Sequence, residues 1–99
     1  MDLELKDKVA IVGGASKGLG RACAEVLAQE GVKVAMCSRT RADLELAAKG
    51  IGDATGAKVL VFAGDLDHYD TIRALIATTV DRFGRLDILV DGGLVRSVL

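Results

Sequence analysis

Ninety-nine residues, 51% apolar and 27% charged, suit one small globular domain with a single modest core and exclude a disordered chain. The charges nearly cancel, 13 basic against 14 acidic for a net −1, and no basic run or aromatic-studded basic face suits a nucleic-acid partner. The charged opening Met1-Asp2-Leu3-Glu4-Leu5-Lys6-Asp7-Lys8 lacks the apolar stretch of a signal peptide, and no apolar run approaches membrane-spanning length, so a cytoplasmic chain without a membrane partner is expected.

The first strand is expected at Lys8 to Gly13, around the apolar run Val9-Ala-Ile-Val12. The first helix is expected from Gly18 to Glu30, with Leu19, Ala22, Cys23, Val26 and Leu27 as its core stripe and Gly31 as its stop. Lys33 to Ser38 reads as strand two. Thr40 then stands as a cap, with Asp43 completing a capping-box-like start. Leu44, Ala47, Ala48 and Ile51 form the buried face of this second helix, and Ala54-Thr-Gly56 leads out of it. Strand three is Lys58 to Ala63. A turn over 65–70 follows, and Asp70 is expected to cap helix three, whose stripe is Ile72, Leu75, Ile76, Val80 and Phe83. Gly84 ends that helix and Leu86 to Val90 forms strand four.

Strands and helices therefore alternate, and no pair of strands is joined by a hairpin turn. The pattern predicts an α/β fold, a partial Rossmann unit with a four-stranded parallel sheet and helices on both faces. With strand order 3-2-1-4 and right-handed crossovers, the first two helices share one face and the third covers the other. Ligands bind at the carboxyl ends of the strands, where such an order reverses.

That point coincides with the glycine-rich stretch Gly13-Gly-Ala-Ser-Lys-Gly-Leu-Gly20. Gly14 allows a tight turn out of the strand, Gly18 removes a Cβ that would block a pyrophosphate, and Gly20 permits close helix packing. The helix that follows offers unpaired N–H groups and a partial positive charge to a phosphate. The spacing Gly14-x-x-x-Gly18-x-Gly20, with Val12-Gly-Gly-Ala-Ser-Lys17 around it, resembles the cofactor loop of the short-chain dehydrogenase/reductase family. Phe83-Gly-Arg-Leu-Asp-Ile-Leu-Val90 resembles that family's fourth strand, where Asp87 implies structural support.

The resemblance implies a dinucleotide site made of Gly14, Ser16, Lys17, Gly18, Leu19 and Gly20, then Ser38 and Arg39, then Asp65 and Leu66. In it Asp65 would accept from the adenine amino group. A carboxylate that holds a ribose 2′-hydroxyl is expected about 20 positions after an NAD loop. Cys37-Ser-Arg-Thr40 has none, and carries Arg39 instead. Arg39 and Lys17 suit a 2′-phosphate, so NADP is the expected cofactor, with NAD less suited. Taken without the resemblance, the same two cations are ordinary solvated surface charges.

Where the family continues with Asn-Asn-Ala-Gly, this chain has Asp91-Gly-Gly-Leu94. The catalytic Ser and Tyr-x-x-x-Lys that the resemblance would imply have no counterpart in these 99 residues. No catalytic residue and no metal site is expected: His68 and Tyr69 fall at a helix entry, and Cys23 and Cys37 read as core thiols. The expected organisation is a nucleotide-binding unit over 1–90 and a divergent tail over 91–99 belonging to no clear element. Three functional readings stand. The chain is the NADP(H)-binding part of an oxidoreductase of the 3-oxoacyl-(acyl carrier protein) reductase-like branch, a stand-alone NADP-binding or regulatory module, or an inactive truncation product. Strand four, with no neighbour on its far side, is expected to be an open edge that drives self-association.

Overall fold

Val9 to Gly13 form β1, and every residue of it is buried, as a strand covered on both faces requires. The computed structural model describes residues 5–91 and, as a strand only, 94–97. After β1 come α1 (Gly18–Gln29), β2 (Lys33–Ser38), α2 (Arg41–Thr55), β3 (Val59–Ala63), α3 (Tyr69–Phe83), β4 (Ile88–Asp91) and β5 (Leu94–Ser97). Four strands are parallel in the order β3-β2-β1-β4. Val12 is aligned with Met36 on one side and Val90 on the other, which brings the carboxyl ends of three strands into one row.

The helices divide between the faces as right-handed crossovers demand. Ala24 and Ala28 of α1, with Leu44, Ala47, Ala48 and Ile51 of α2, pack on Ala10, Val12, Val34 and Met36. On the opposite face Leu75 of α3 packs on Ile11, Ala35, Cys37 and Leu60. The α2 face is the one expected from its periodicity. The α1 face is not: Leu19 is 64% exposed and Val26 57%, Cys23 and Leu27 are half-buried, and the fully covered residues are alanines. Small side chains let this helix approach the sheet closely, and the larger ones are left beside it.

Several local expectations shift. Thr40 does hold the N-cap position of α2, but its side chain makes no capping bond. His68, not Asp70, is the N-cap of α3. The Asp67 N–H donates to Asp65 Oδ1 (2.9 Å) and the His68 N–H to the Asp65 carbonyl (3.2 Å), which closes the turn early and leaves Asp70 inside the first helical turn. The second helix also runs on through Ala54 and Thr55 to Gly56.

The larger correction concerns the end of the chain. β5 pairs antiparallel along β4, so β4 is not an edge, and β3 and β5 are the outer strands among the described residues. The start of β4 is tied to β1 by Asp87. Its carboxylate, 5% exposed, accepts from the Val9 N–H (2.9 Å), and its own N–H donates to the Val9 carbonyl (2.9 Å). Arg85 grips the same carboxylate with two hydrogen bonds of 2.8 and 2.7 Å. The Arg85 bonds, helped by the Val9 N–H, hold the Asp87 carboxyl below the ordinary aspartate range despite its burial.

Candidate functional site

At the carboxyl ends of the parallel strands lies a cleft of about 440 Å³. Gly14, Ser16 and Lys17 line it from the loop after β1, and Ser38 and Arg39 from the end of β2. Asp65 and Leu66 line it from the segment after β3. Seven of the ten residues expected at the site thus meet in one concavity.

Backbone hydrogen bonds hold its walls together. The Ala15 N–H donates to the Cys37 carbonyl (3.0 Å), which fastens the glycine loop to the end of β2. The Gly64 N–H donates to the Ser38 carbonyl (2.9 Å), which fastens the segment after β3 to the same point. The Ser38 hydroxyl accepts from the Thr40 N–H (3.3 Å), across a bend with Arg39 at its apex.

The other three expected residues, Gly18, Leu19 and Gly20, form the first turn of α1 instead of lining the cleft with side chains. Gly14 and Gly18 have φ of +63° and +62°, a region open to glycine, and a Cβ on either would meet nothing within 4 Å. Gly20 has the opposite constraint: a Cβ there would overlap the Gly14 carbonyl oxygen and lie 2.9 Å from that of Gly13. Its role is to let the helix sit on its own loop.

Lys17 holds the N-cap position in an extended conformation, and no side chain caps α1. A lysine has no acceptor, so the first-turn N–H groups keep their capacity for an external acceptor. Among the described residues neither Lys17 nor Arg39 forms an ion pair. Among the described residues the cleft therefore offers backbone donors, the hydroxyls of Ser16, Ser38 and Thr40, and two unpaired cations to an anion.

Cys37, Thr40, Gly64, Asp67 and Asp91 also line the cleft, and sequence reasoning had not placed them there. Most stand at or just past a strand's carboxyl end, which is the signal that would have found them. The Cys37 thiol is buried, with Sγ 3.8 Å from the Gly64 carbonyl oxygen. Burial, then the negative charges of Asp65 and Asp91, push it up to about 11, so it is a neutral thiol and no nucleophile at physiological pH. The Asp65 carboxylate is already used within its turn, accepting from the Asp67 N–H and lying 3.8 Å from His68 Nε2. Among the described residues no cluster of His, Cys, Asp or Glu could hold a metal ion. Among the described residues no helix is long and apolar enough to cross a membrane.

A second concavity, about 320 Å³ and almost wholly apolar, is lined by Leu19, Ala22, Cys23, Val26 and Leu27 of α1 with Val90 of β4. The five α1 residues are those that the helical period had assigned to the core.

A family model described as short chain dehydrogenase matches residues 8–97. The chain belongs to that family. The match extends to residue 97, the end of β5. An uncharacterized oxidoreductase of Staphylococcus saprophyticus is 43% identical over 96 residues, covering 96% of this chain and 41% of the relative. The structure of L-sorbose reductase from Gluconobacter frateurii, complexed with NADPH and L-sorbose, superposes with a TM-score of 0.86 at 34% identity. The match covers 90% of this chain and 34% of that one. An alcohol dehydrogenase from the archaeon Thermococcus sibiricus, complexed with 5-hydroxy-NADP, gives 0.78 at 30% identity, covering 83% and 35%. This short-chain dehydrogenase chain thus spans about two fifths or less of the length of these relatives.

Proposed function

We propose that residues 1–90 form the NADP(H)-binding unit of an oxidoreductase that moves hydride between the nicotinamide and a carbonyl or alcohol substrate. The observation that carries this reading is the pair of unpaired cations, Lys17 and Arg39, on a cleft that opens at an uncapped helix N-terminus. Gly14, Ser16 and the first turn of α1, Gly18 to Gly20, receive the pyrophosphate through backbone N–H groups and the Ser16 hydroxyl. Lys17 and Arg39 receive the 2′-phosphate, the latter with its planar fork. Ser38 orders the bend that presents Arg39, and Leu66 and the Asp65 segment face the adenine. Both solved relatives named above carry an NADP-type dinucleotide, which supports the phosphate-bearing cofactor over NAD.

When bound, the cofactor supplies the hydride; this chain's residues bind it, orient it and keep its phosphates in place. Two free cysteines suit a reducing, cytoplasmic setting. We also place self-association on the apolar concavity of α1 and not on the edge of β4, which β5 occupies. Titration of NADPH into the Arg39→Asp variant tests the cofactor reading. A charge-assisted hydrogen bond is worth about 1.5–3 kcal/mol, so affinity should fall by roughly one to two decades. Unchanged affinity would remove the proposed 2′-phosphate site.

A further inference from the structure

The groove beside α1 has Val90 of β4 as its floor, and its lining carries no charge. Along its wall Leu19 and Val26 are exposed and lie two turns apart, about 10.5 Å along the helix. The small residues Ala22 and Cys23 stand midway between them. The stripe therefore reads large, small, small, large, the same order from either end. Two helices that cross are closest at the crossing and diverge away from it. Small residues at the centre with large ones at both ends fill that shape. Arg21 and Glu25, the charged residues of α1, lie outside the groove and cancel.

Such a groove takes an apolar helix flank that brings no unpaired charge with it. Among the described residues α2 exposes a lone large apolar side chain, Leu46. On α3 Tyr69, Ile76 and Val80 are exposed, but Arg73 shares their stripe and lies over the Tyr69 ring, 5.7 Å from its centre. Seating that stripe would bury a guanidinium against a lining that holds no carboxylate, at a large desolvation cost. The stripe of α1 carries no such charge. The flank that suits the groove is therefore α1 of a second copy, and a net charge of −1 sets little repulsion between copies.

We infer that two copies of this chain pair through α1, antiparallel, about a two-fold axis that passes between Ala22 and Cys23. Each Leu19 then meets the partner's Val26, and the small residues meet at the crossing. The contact uses the same patch twice and closes at two copies. The inference rests on the self-association placed at this groove above, and names the partner surface and its direction; it is independent of the cofactor reading. A 12-residue helix is about 18 Å long. One flank of it supplies well under the about 800 Å² per partner of a standard interface, so the pairing is weak and reversible.

The experiment has two arms. Light scattering over a dilution series compares the native chain with Val26→Glu on α1 and Val80→Glu on α3; both sites are exposed, and circular dichroism checks that both variants fold. Val26→Glu should raise the concentration needed for pairing at least about tenfold, whereas Val80→Glu should leave it within about twofold. In the second arm every chain carries Cys23→Ser. Chains with Leu19→Cys and chains with Val26→Cys are treated with an ethane-bridged methanethiosulfonate, separately and mixed, and Ile76→Cys chains report random collision. The mixture should give a cross-linked dimer, and each variant alone should give no more than Ile76→Cys. Cross-linking of Leu19→Cys to itself as strongly as in the mixture would overturn the antiparallel pairing. Association lost in Val80→Glu and kept in Val26→Glu would overturn it too, by placing α3 at the interface. If Val26→Glu abolishes association but the mixture does not cross-link, the groove remains the self-association surface and this pairing falls. If the native chain stays monomeric at high concentration, both fall.

Discussion

Replacing Gly20 with alanine sets two effects of opposite sign against each other. In a helix, alanine is favoured over glycine by up to about 1 kcal/mol. At Gly20 the new Cβ would overlap the Gly14 carbonyl oxygen and lie 2.7 Å from the Gly14 carbonyl carbon and 2.9 Å from the Gly13 oxygen. All three are backbone atoms of the loop, so no rotamer change relieves the clash. Overpacking of this kind costs about 1–3 kcal/mol, and the net expectation is a loss of about 1–2 kcal/mol. For a domain of this size each kcal/mol moves Tm by about 4–8 °C. Gly50→Ala, in the middle of α2, is the matched control: its Cβ would meet only Arg21 Nη2, at an ordinary 3.7 Å. That variant should gain up to about 1 kcal/mol and melt higher. Thermal unfolding followed by circular dichroism measures both. A Gly20→Ala protein that melts higher than the native chain, in step with Gly50→Ala, would refute the seating of α1 on its own loop. The NADPH affinity of Gly20→Ala should fall as well, because the displaced backbone belongs to the proposed phosphate cradle.

Asp87→Ala removes the acceptor of the buried Val9 N–H and should cost about 1–3 kcal/mol at neutral pH in urea unfolding. Because the folded Asp87 carboxyl lies below the ordinary aspartate range, its contribution is complete above that range. It should shrink as pH falls through the lowered value, so the gap to the variant narrows in acid; a gap that widens in acid would contradict this. At pH 8 a maleimide should modify Cys23 readily and Cys37 only after unfolding, since Cys37 is buried and shifted up to about 11; peptide mapping by mass spectrometry reads the difference. Light scattering across a concentration series should show association of the native chain and a species near 10.3 kDa for Val26→Glu, in the middle of the α1 groove. A native chain that stays monomeric at high concentration would remove that groove as a self-association surface.

The parallel sheet was legible because its strands are short apolar runs separated by amphipathic helices, and β1 in particular reads as buried on both faces. The α2 face was legible for a related reason, as Leu44, Ala47, Ala48 and Ile51 recur at helical spacing. The α1 face was not. Period and hydrophobicity favour Leu19, Val26 and Leu27, but close approach to the loop and sheet selects Gly20, Ala24 and Ala28, and hydrophobicity does not register small size. The start of α3 was misjudged because the Asp65 turn closes on its own backbone before Asp70 can act as a cap. β5 was missed because Leu94-Val-Arg-Ser97 is short and follows glycines, and its pairing with β4 is a tertiary fact. In the cleft the glycines stood out by spacing, and Lys17, Arg39 and Asp65 through the family resemblance. Asp91 and Cys37 enter it only through register, as neighbours of Gly13 across the sheet.

The central claim is that this cleft holds a dinucleotide by its phosphates and prefers the one with a 2′-phosphate. Parallel calorimetric titrations of the native chain with NADPH and with NADH test it most directly. The account predicts saturable one-to-one binding of NADPH, at least tenfold tighter than NADH, because Lys17 and Arg39 meet a phosphate in one case and a hydroxyl in the other. Equal affinity for the two, or no heat from either, would contradict it.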